Sequence, residues 1–96
     1  MKRYTVVWDP ELQLDFTRYW SQSDSPLRAA LTYASNWIDK NLAVDPETQG
    51  RPSAVDPTCR TLLVPDTGAC SIVVLYRVLP EDRQVEVLEI QHILKK

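Results

Sequence analysis

The side chains that could perform acid–base chemistry in this sequence are few. The single histidine, His92, stands near the end of an apolar segment, and no Asp or Glu is placed by the sequence to orient its imidazole. Glu86 and Glu89 lie three residues apart in the same segment, so in a regular strand they would point to opposite faces. A carboxylate pair for hydrolysis is therefore not predicted, and His92 is interpreted first as a surface residue at a strand end.

The two cysteines, Cys59 and Cys70, flank a predicted turn at residues 66–68. If the flanking segments pair through that turn, Cys59 lies opposite about Leu75, and roughly five residues of about 3.3 Å each separate the two thiols along the strands. That distance excludes a disulfide, so both residues are predicted to be free, buried thiols. No metal and no other cofactor is predicted, because a zinc site would need further Cys and His ligands.

Composition narrows the possible functions. The chain has 96 residues, of which 44% are hydrophobic and 25% charged, and this is typical of one globular domain spanning residues 1–96. The formal net charge of -2 argues against broad, non-specific nucleic-acid binding, although a local basic patch is compatible with it. We find no apolar run of about 18 residues and no charged-then-apolar leader, so a cytoplasmic location without membrane contact is predicted.

The elements that must position these residues are organised around a predicted hairpin at residues 70–93. A β-branched run, a polar turn at residues 80–83 and a second apolar run follow one another in this stretch. Two strands alone are marginally stable in water, so the hairpin needs further strands and an apolar cover. Residues 4–8 and 60–64 supply the further strands.

Two helices are predicted between those two strands. The first begins at Asp9 and Pro10, and apolar residues recur at every fourth position from 12 to 20. Ser25 and Pro26 repeat the cap-then-proline signature for a second helix that continues to about residue 43. Because only a few polar residues join them, the two helices are predicted to form an antiparallel pair.

Residues 44–58 contain three prolines and one glycine, which predicts an irregular connector, either disordered or packed over the core. The element order is therefore β-α-α-β-β-β. It predicts an α+β fold in which an antiparallel sheet carries the helical pair on one face. The last three strands form a meander, and the first strand joins an edge of it or inserts beside the last strand.

The strand that begins at residue 70 carries apolar side chains on both of its faces. Tyr76 is predicted to lie in the core. Arg77 is predicted either to pair with Glu86 or Glu89 across the hairpin or to contact phosphate. The helical pair can cover only one of these faces. We therefore expect a partner to cover the other face.

The element order and several short stretches resemble the RelE/ParE superfamily of toxins from type II toxin–antitoxin systems. The stretches are V-V-W-D-P-E at residues 6–11, D-P-E-x-x-G at 45–50, and V-L-Y-R-V with V-E-V-L-E-I in the terminal hairpin. The resemblance spans nearly the whole chain. It implies a small cytosolic bacterial protein that is neutralised by a cognate antitoxin, whose segment would cover the second sheet face.

The resemblance also assigns candidate catalytic residues. Ribosome-dependent members of the family cut mRNA with several Lys and Arg side chains, but the corresponding positions on the second predicted strand hold Thr61 and Leu63. The family's Tyr-Arg-x-x-Tyr pattern matches only at Tyr76, since its first two positions fall on Ile72 and Val73. The residues that remain are Arg51, Arg60, Arg77, His92 and Lys95, and of these Arg60, Arg77 and His92 are the predicted catalytic set.

This reduced set favours the gyrase-inhibiting branch of the family, which acts by binding its target. The negative net charge of the chain also disfavours docking into ribosomal RNA. The alternatives are a ribosome-dependent mRNA endoribonuclease with fewer catalytic residues and a non-toxic, diverged interaction module. The expected partners are a cognate antitoxin and either gyrase or the ribosome with mRNA, with no small-molecule substrate.

Overall fold

The computed structural model describes residues 3–65 and 70–94, without the side chains of residues 70 and 92–94. The elements follow in the order β1 (Thr5–Trp8), α1 (Pro10–Gln22), α2 (Ser25–Asn41), β2 (Arg51–Pro52), β3 (Cys59–Val64), β4 (Cys70–Leu79) and β5 (Gln84–Leu94). This is the predicted α+β order with one additional short strand, β2.

A five-stranded sheet forms the centre of the fold, with strand order β1-β5-β4-β3-β2. Strands β3, β4 and β5 form the predicted antiparallel meander. Strand β1 joins the edge of the meander beside β5 and runs parallel to it. This is one of the two arrangements that the sequence predicts. A parallel neighbour needs a long crossover connection, and here the helical pair lies within that connection.

Aspartates cap both helices. The Asp9 carboxylate accepts a hydrogen bond from the Leu12 amide at 3.2 Å, as the sequence predicts. The cap of α2 is Asp24, whose carboxylate accepts from the Leu27 amide at 3.1 Å, so the prediction of Ser25 as the cap was wrong by one residue. Asp24 has the extended backbone that a cap requires, and Ser25 is already helical. No helix among the described residues is both long and apolar enough to cross a membrane.

The core lies between the helical pair and one face of the sheet. Helix α2 buries Ala30, Leu31, Ala34 and Ile38 against the sheet, and the two small alanines allow a close approach. Strands β4 and β5 contribute the fully buried residues Ile72, Val74, Tyr76, Val85 and Val87. The predicted alternation along β4 and the core position of Tyr76 are therefore confirmed.

The connector contains regular structure that the sequence did not predict. Arg51 and Pro52 pair with Thr61 and Arg60 of β3 and form β2. Gly50 precedes this strand with a φ of 67°, a left-handed conformation that favours glycine. A two-residue strand has too little hydrophobic pattern to be recognised from its sequence, and Pro52 argues against a strand.

The pairing of β3 with β4 corrects the predicted register. Cys59 lies opposite Arg77, two residues further along β4 than the expected Leu75. Cys59 is free and buried, as predicted. The predicted turn at residues 66–68 and the side chain of Cys70 lie outside the described part of the structure.

We expect Gly50→Ala to destabilise the protein. A Cβ atom at this position would lie 2.2 Å from the Thr61 carbonyl oxygen, on a backbone with positive φ. Strain of this kind costs about 1–3 kcal/mol, so the midpoint of urea unfolding should fall. Val55→Ala in the same connector is the control, because Val55 is 96% exposed and its truncation should change stability by less than about 0.5 kcal/mol. Equal midpoints for the two variants would contradict this prediction.

Candidate functional site

The candidate site is the face of the sheet opposite the helices, called here the open face. Directly paired residues of neighbouring strands share a face, so Arg77, Leu75 and Val73 of β4 lie on the side away from the core. The open face comprises Val7, Arg51, Cys59, Thr61, Leu63, Val73, Leu75, Arg77, Glu86, Leu88, Glu89 and Gln91.

A groove of about 430 Å³ lies on the open face. Apolar side chains form its floor, and the connector after β2 forms one wall with Ser53, Val55 and Asp56. Its charged lining residues are Asp56 and Glu89. The groove is thus an apolar surface with two carboxylates.

A β-bulge in β5 decides which side chains reach the groove. Leu75 pairs with Glu89, but the next residue, Tyr76, pairs with Val87, so Leu88 is an extra residue in β5. An extra residue resets the alternation of side chains along the strand. Glu86 and Glu89 therefore lie on the same face, and the prediction that they face opposite sides was wrong.

Arg77 forms the expected ion pair across the hairpin. Its guanidinium donates to Glu86 Oε1 from Nη2 at 2.6 Å and from Nε at 3.1 Å. This hydrogen bonding is the main cause that raises the pKa of Arg77. The cation is already engaged by a carboxylate on the open face.

Arg60 lies on the other side of the sheet from Arg77, because its partner on β4 is the buried Tyr76. Its Nε donates to the Gln49 carbonyl at 2.8 Å and its Nη2 to the Gly50 carbonyl at 3.2 Å. Arg60 thereby holds the start of β2 against β3. The structure does not bring Arg60 and Arg77 together on one face.

Tyr76 supports the same part of the connector from the core side of the sheet. Its hydroxyl is directed at the carbonyl oxygens of Pro46 and Gln49, at 2.9 and 2.8 Å. Burial raises the pKa of this phenol, and the neighbouring Arg60 opposes that shift. Tyr76 is a core residue, as predicted, and its hydroxyl anchors the connector.

Asp56 is held in a tight turn at the wall of the groove. Its Oδ1 accepts from the Thr58 hydroxyl at 2.6 Å and from the Thr58 amide at 3.0 Å. Hydrogen bonding from the Thr58 side chain is the main cause that lowers the pKa of Asp56. The Cys59 thiol donates weakly to Oδ2 at 3.7 Å. Asp56 is therefore a preorganised anion.

The other candidates named from the sequence are distributed differently. Arg51 pairs with Thr61 and lines a second depression on the open face together with Leu63 and Val73. The backbone of His92 lies opposite Ile72 near the end of β5, and its side chain lies outside the described atoms. Lys95 lies outside the described residues altogether.

Sequence reasoning missed the groove because three of its determinants are tertiary. The bulge at Leu88, the register that places Cys59 opposite Arg77, and the path of residues 53–56 over the sheet have no local signature. The Asp56-x-Thr58 spacing, typical of an Asx turn, was the one available signal. Within the described residues, no group of three His, Cys, Asp or Glu side chains could hold a metal ion.

Comparisons with known proteins identify the fold. No protein-family model and no curated protein matches the sequence. A chain of the toxin–antitoxin complex RelBE2 from Mycobacterium tuberculosis matches with a TM-score of 0.64 and 17% identity, over 99% of this chain and 97% of that chain. A free E. coli toxin RelE variant with two arginines replaced by alanine matches with a TM-score of 0.57 and 16% identity, over 92% and 81% of the two chains. The isolated E. coli RelE toxin matches with a TM-score of 0.52 and 15% identity, over 97% and 87%.

These matches share one small α+β fold. The chain adopts the fold of the RelE toxins, and this confirms at the level of the fold the resemblance to the RelE/ParE superfamily.

We expect Tyr76→Phe to destabilise the protein by about 1–3 kcal/mol, because it leaves the buried Pro46 carbonyl without the hydroxyl that donates to it. Tyr33→Phe removes the same hydroxyl from a side chain that is 41% exposed and should change stability by less than about 0.5 kcal/mol. Chemical denaturation of both variants measures the difference. Similar losses in the two variants would refute the anchoring role of Tyr76.

The Asp56 carboxyl should titrate below its ordinary value of 3.8. A lowered pKa in the folded state means that ionised Asp56 stabilises the fold above that ordinary value, and this contribution is lost as the pH falls through the folded pKa. Thr58→Val removes the hydroxyl donor and should raise the pKa, which a carboxyl NMR titration measures. Thr48→Val is the control, because the Thr48 hydroxyl donates to the backbone carbonyl of Asp45 and not to Asp56. An unchanged Asp56 pKa in Thr58→Val would contradict the assigned cause.

Proposed function

We propose that the protein is the toxin component of a type II toxin–antitoxin system, that an antitoxin binds its open face, and that it inhibits its target by binding. The observation that carries the proposal is the open face itself, on a RelE-like fold. The helical pair covers the opposite face, whereas Leu63 is 60% exposed and Val7 is 40% exposed on this one. Exposed apolar side chains on the same sheet face as a groove with an apolar floor are typical of an interaction site.

The partner in this proposal comes from the structural match. The RelBE2 chain that shares the fold was solved as part of a toxin–antitoxin complex. An antitoxin segment on the open face would give β4 the second apolar cover that it lacks. The predicted cytoplasmic location belongs to the same proposal.

Action by binding is favoured over RNA cleavage by the charges of the open face. Asp56, Glu86 and Glu89 supply three carboxylates there, and Arg77 is engaged with Glu86. Carboxylates repel phosphates, while RNA cleavage without a metal needs cations to stabilise the transition state. Arg60 donates to connector carbonyls on the other side of the sheet. Gyrase is the proposed target class.

The second candidate function is a ribosome-dependent mRNA endoribonuclease with a reduced catalytic set. The observation that favours it is the position of Arg51 and Arg77 on the open face, on a fold shared with RelE. Arg60, Arg77 and His92 remain its predicted catalytic residues. A non-toxic interaction module is the third alternative.

Induced expression in a bacterial host separates these functions. We expect growth arrest with intact transcripts, induction of DNA-damage signalling, and binding to purified gyrase. Cleaved transcripts, with growth restored by Arg77→Ala, would establish the endoribonuclease instead. Unimpaired growth together with a stable complex with the protein encoded next to this one would establish the non-toxic module.

The antitoxin surface is tested by a matched pair of substitutions. Leu63→Glu places a charge on the open face and should weaken binding of the neighbour-encoded protein by about tenfold or more, since it buries an unpaired charge. Leu14→Glu on α1 is the control, because Leu14 has a similar exposure of 53% on the helical layer. Titration calorimetry measures both affinities. A larger loss of affinity for Leu14→Glu would indicate that the partner binds the helical layer instead of the open face.

A further inference from the structure

We infer that the segment that binds in the open-face groove is an apolar stretch of a partner protein with a Lys or Arg side chain, whose cation lies between Asp56 and Glu89. This inference rests on the proposed function, because it specifies the chemistry of the partner at the same face. It does not depend on whether the target is gyrase or RNA.

The apolar character of the segment follows from the floor of the groove. Val73, Leu75 and Leu88 line it from β4 and β5, and Val55 lines it from the connector. A polar segment would leave these side chains in contact with polar groups, whereas an apolar one removes them from water. The groove is about 430 Å³, enough for several side chains and too small for a folded domain.

The cation follows from the two carboxylates in the lining. A segment that covers the groove takes Asp56 and Glu89 out of water, and a buried charge without a partner is strongly unfavourable. Asp56 is fixed as an anion by Thr58, and Glu89 Oε1 accepts from Gln91 Nε2 at 3.2 Å. These neutral hydrogen bonds leave the negative charges in place. A basic side chain on the occupant offsets both.

The cations of the open face do not line the groove. Arg77 donates to Glu86, neither residue belongs to the lining, and the charge of Arg77 is only a minor cause of the lowered pKa of Asp56. Arg51 belongs to the second depression, with Leu63. The same charges disfavour RNA in this groove, because Asp56 and Glu89 would face phosphates.

The experiment selects ligands without assuming the partner. A display library of random 12-residue peptides is selected on the immobilised full chain, and the enriched peptides are synthesised for calorimetry. We expect them to combine apolar residues with at least one Lys or Arg. Their affinity should fall about tenfold in Asp56→Asn/Glu89→Gln, a double variant that keeps the side-chain shapes. It should also fall as the salt concentration rises, less steeply in that variant.

The matched control is Glu81→Gln/Asp82→Asn, which removes the same two charges from the exposed turn between β4 and β5. It should leave the affinity unchanged. Glu89→Gln alone keeps the test valid if the Asn substitution disturbs the Asp56 turn, because Glu89 has no role in that turn.

Enriched peptides without a basic residue, no enrichment, or equal affinity for the double variant and the wild-type chain would overturn the inference. So would occupation of the groove by a second copy of the chain, seen as a dimer by light scattering that Leu75→Lys abolishes. If the neighbour-encoded protein binds equally well to wild type and Asp56→Asn/Glu89→Gln, the inference fails while the proposed function stands. If that protein fails to bind the wild-type chain, the proposed function itself fails.

Discussion

Strand β4 imposes the constraint on which the rest of the structure depends, because it presents apolar side chains on both faces. Ile72, Val74 and Tyr76 are fully buried under the helical pair. The opposite side chains, Val73 and Leu75, form the floor of a groove instead. One helical pair covers one face of a sheet, so no helix in the described part of the chain covers the second face of β4.

The connector turns that uncovered face into a shaped site. Tyr76 and Arg60 reach from the core side to the carbonyls of residues 46–50 and hold the beginning of the connector against β3. The chain can then cross to the open face, where Ser53 and Asp56 form a wall of the groove. Two side chains on the core side of the sheet therefore help to position a wall on the other side, and the candidate catalytic Arg60 is one of them.

The charges of the open face carry functional information that the fold does not. RelE-like architecture is shared with the toxin structures at 15–17% identity, and such low identity preserves backbone topology without preserving a site. Here carboxylates line the groove, and Arg77 is paired with Glu86. The comparisons therefore show the fold alone, and the proposal of action by binding depends on the charges of the open face.

The amino-acid sequence by itself determined the element order, the two faces of β4, the start of α1 at Asp9 and an ion pair of Arg77 with a glutamate across the hairpin. Each of these depends on local periodicity, capping or a short hairpin, where neighbours in space are also near in sequence. The tertiary structure alone decided the common face of Glu86 and Glu89, the position of Cys59 opposite Arg77 and the short strand β2. A bulge, a register and a two-residue strand arise from packing between distant segments, which no local pattern records. The long hairpin thus identifies the fold from its sequence, while its bulge, visible only in the folded chain, creates the candidate site.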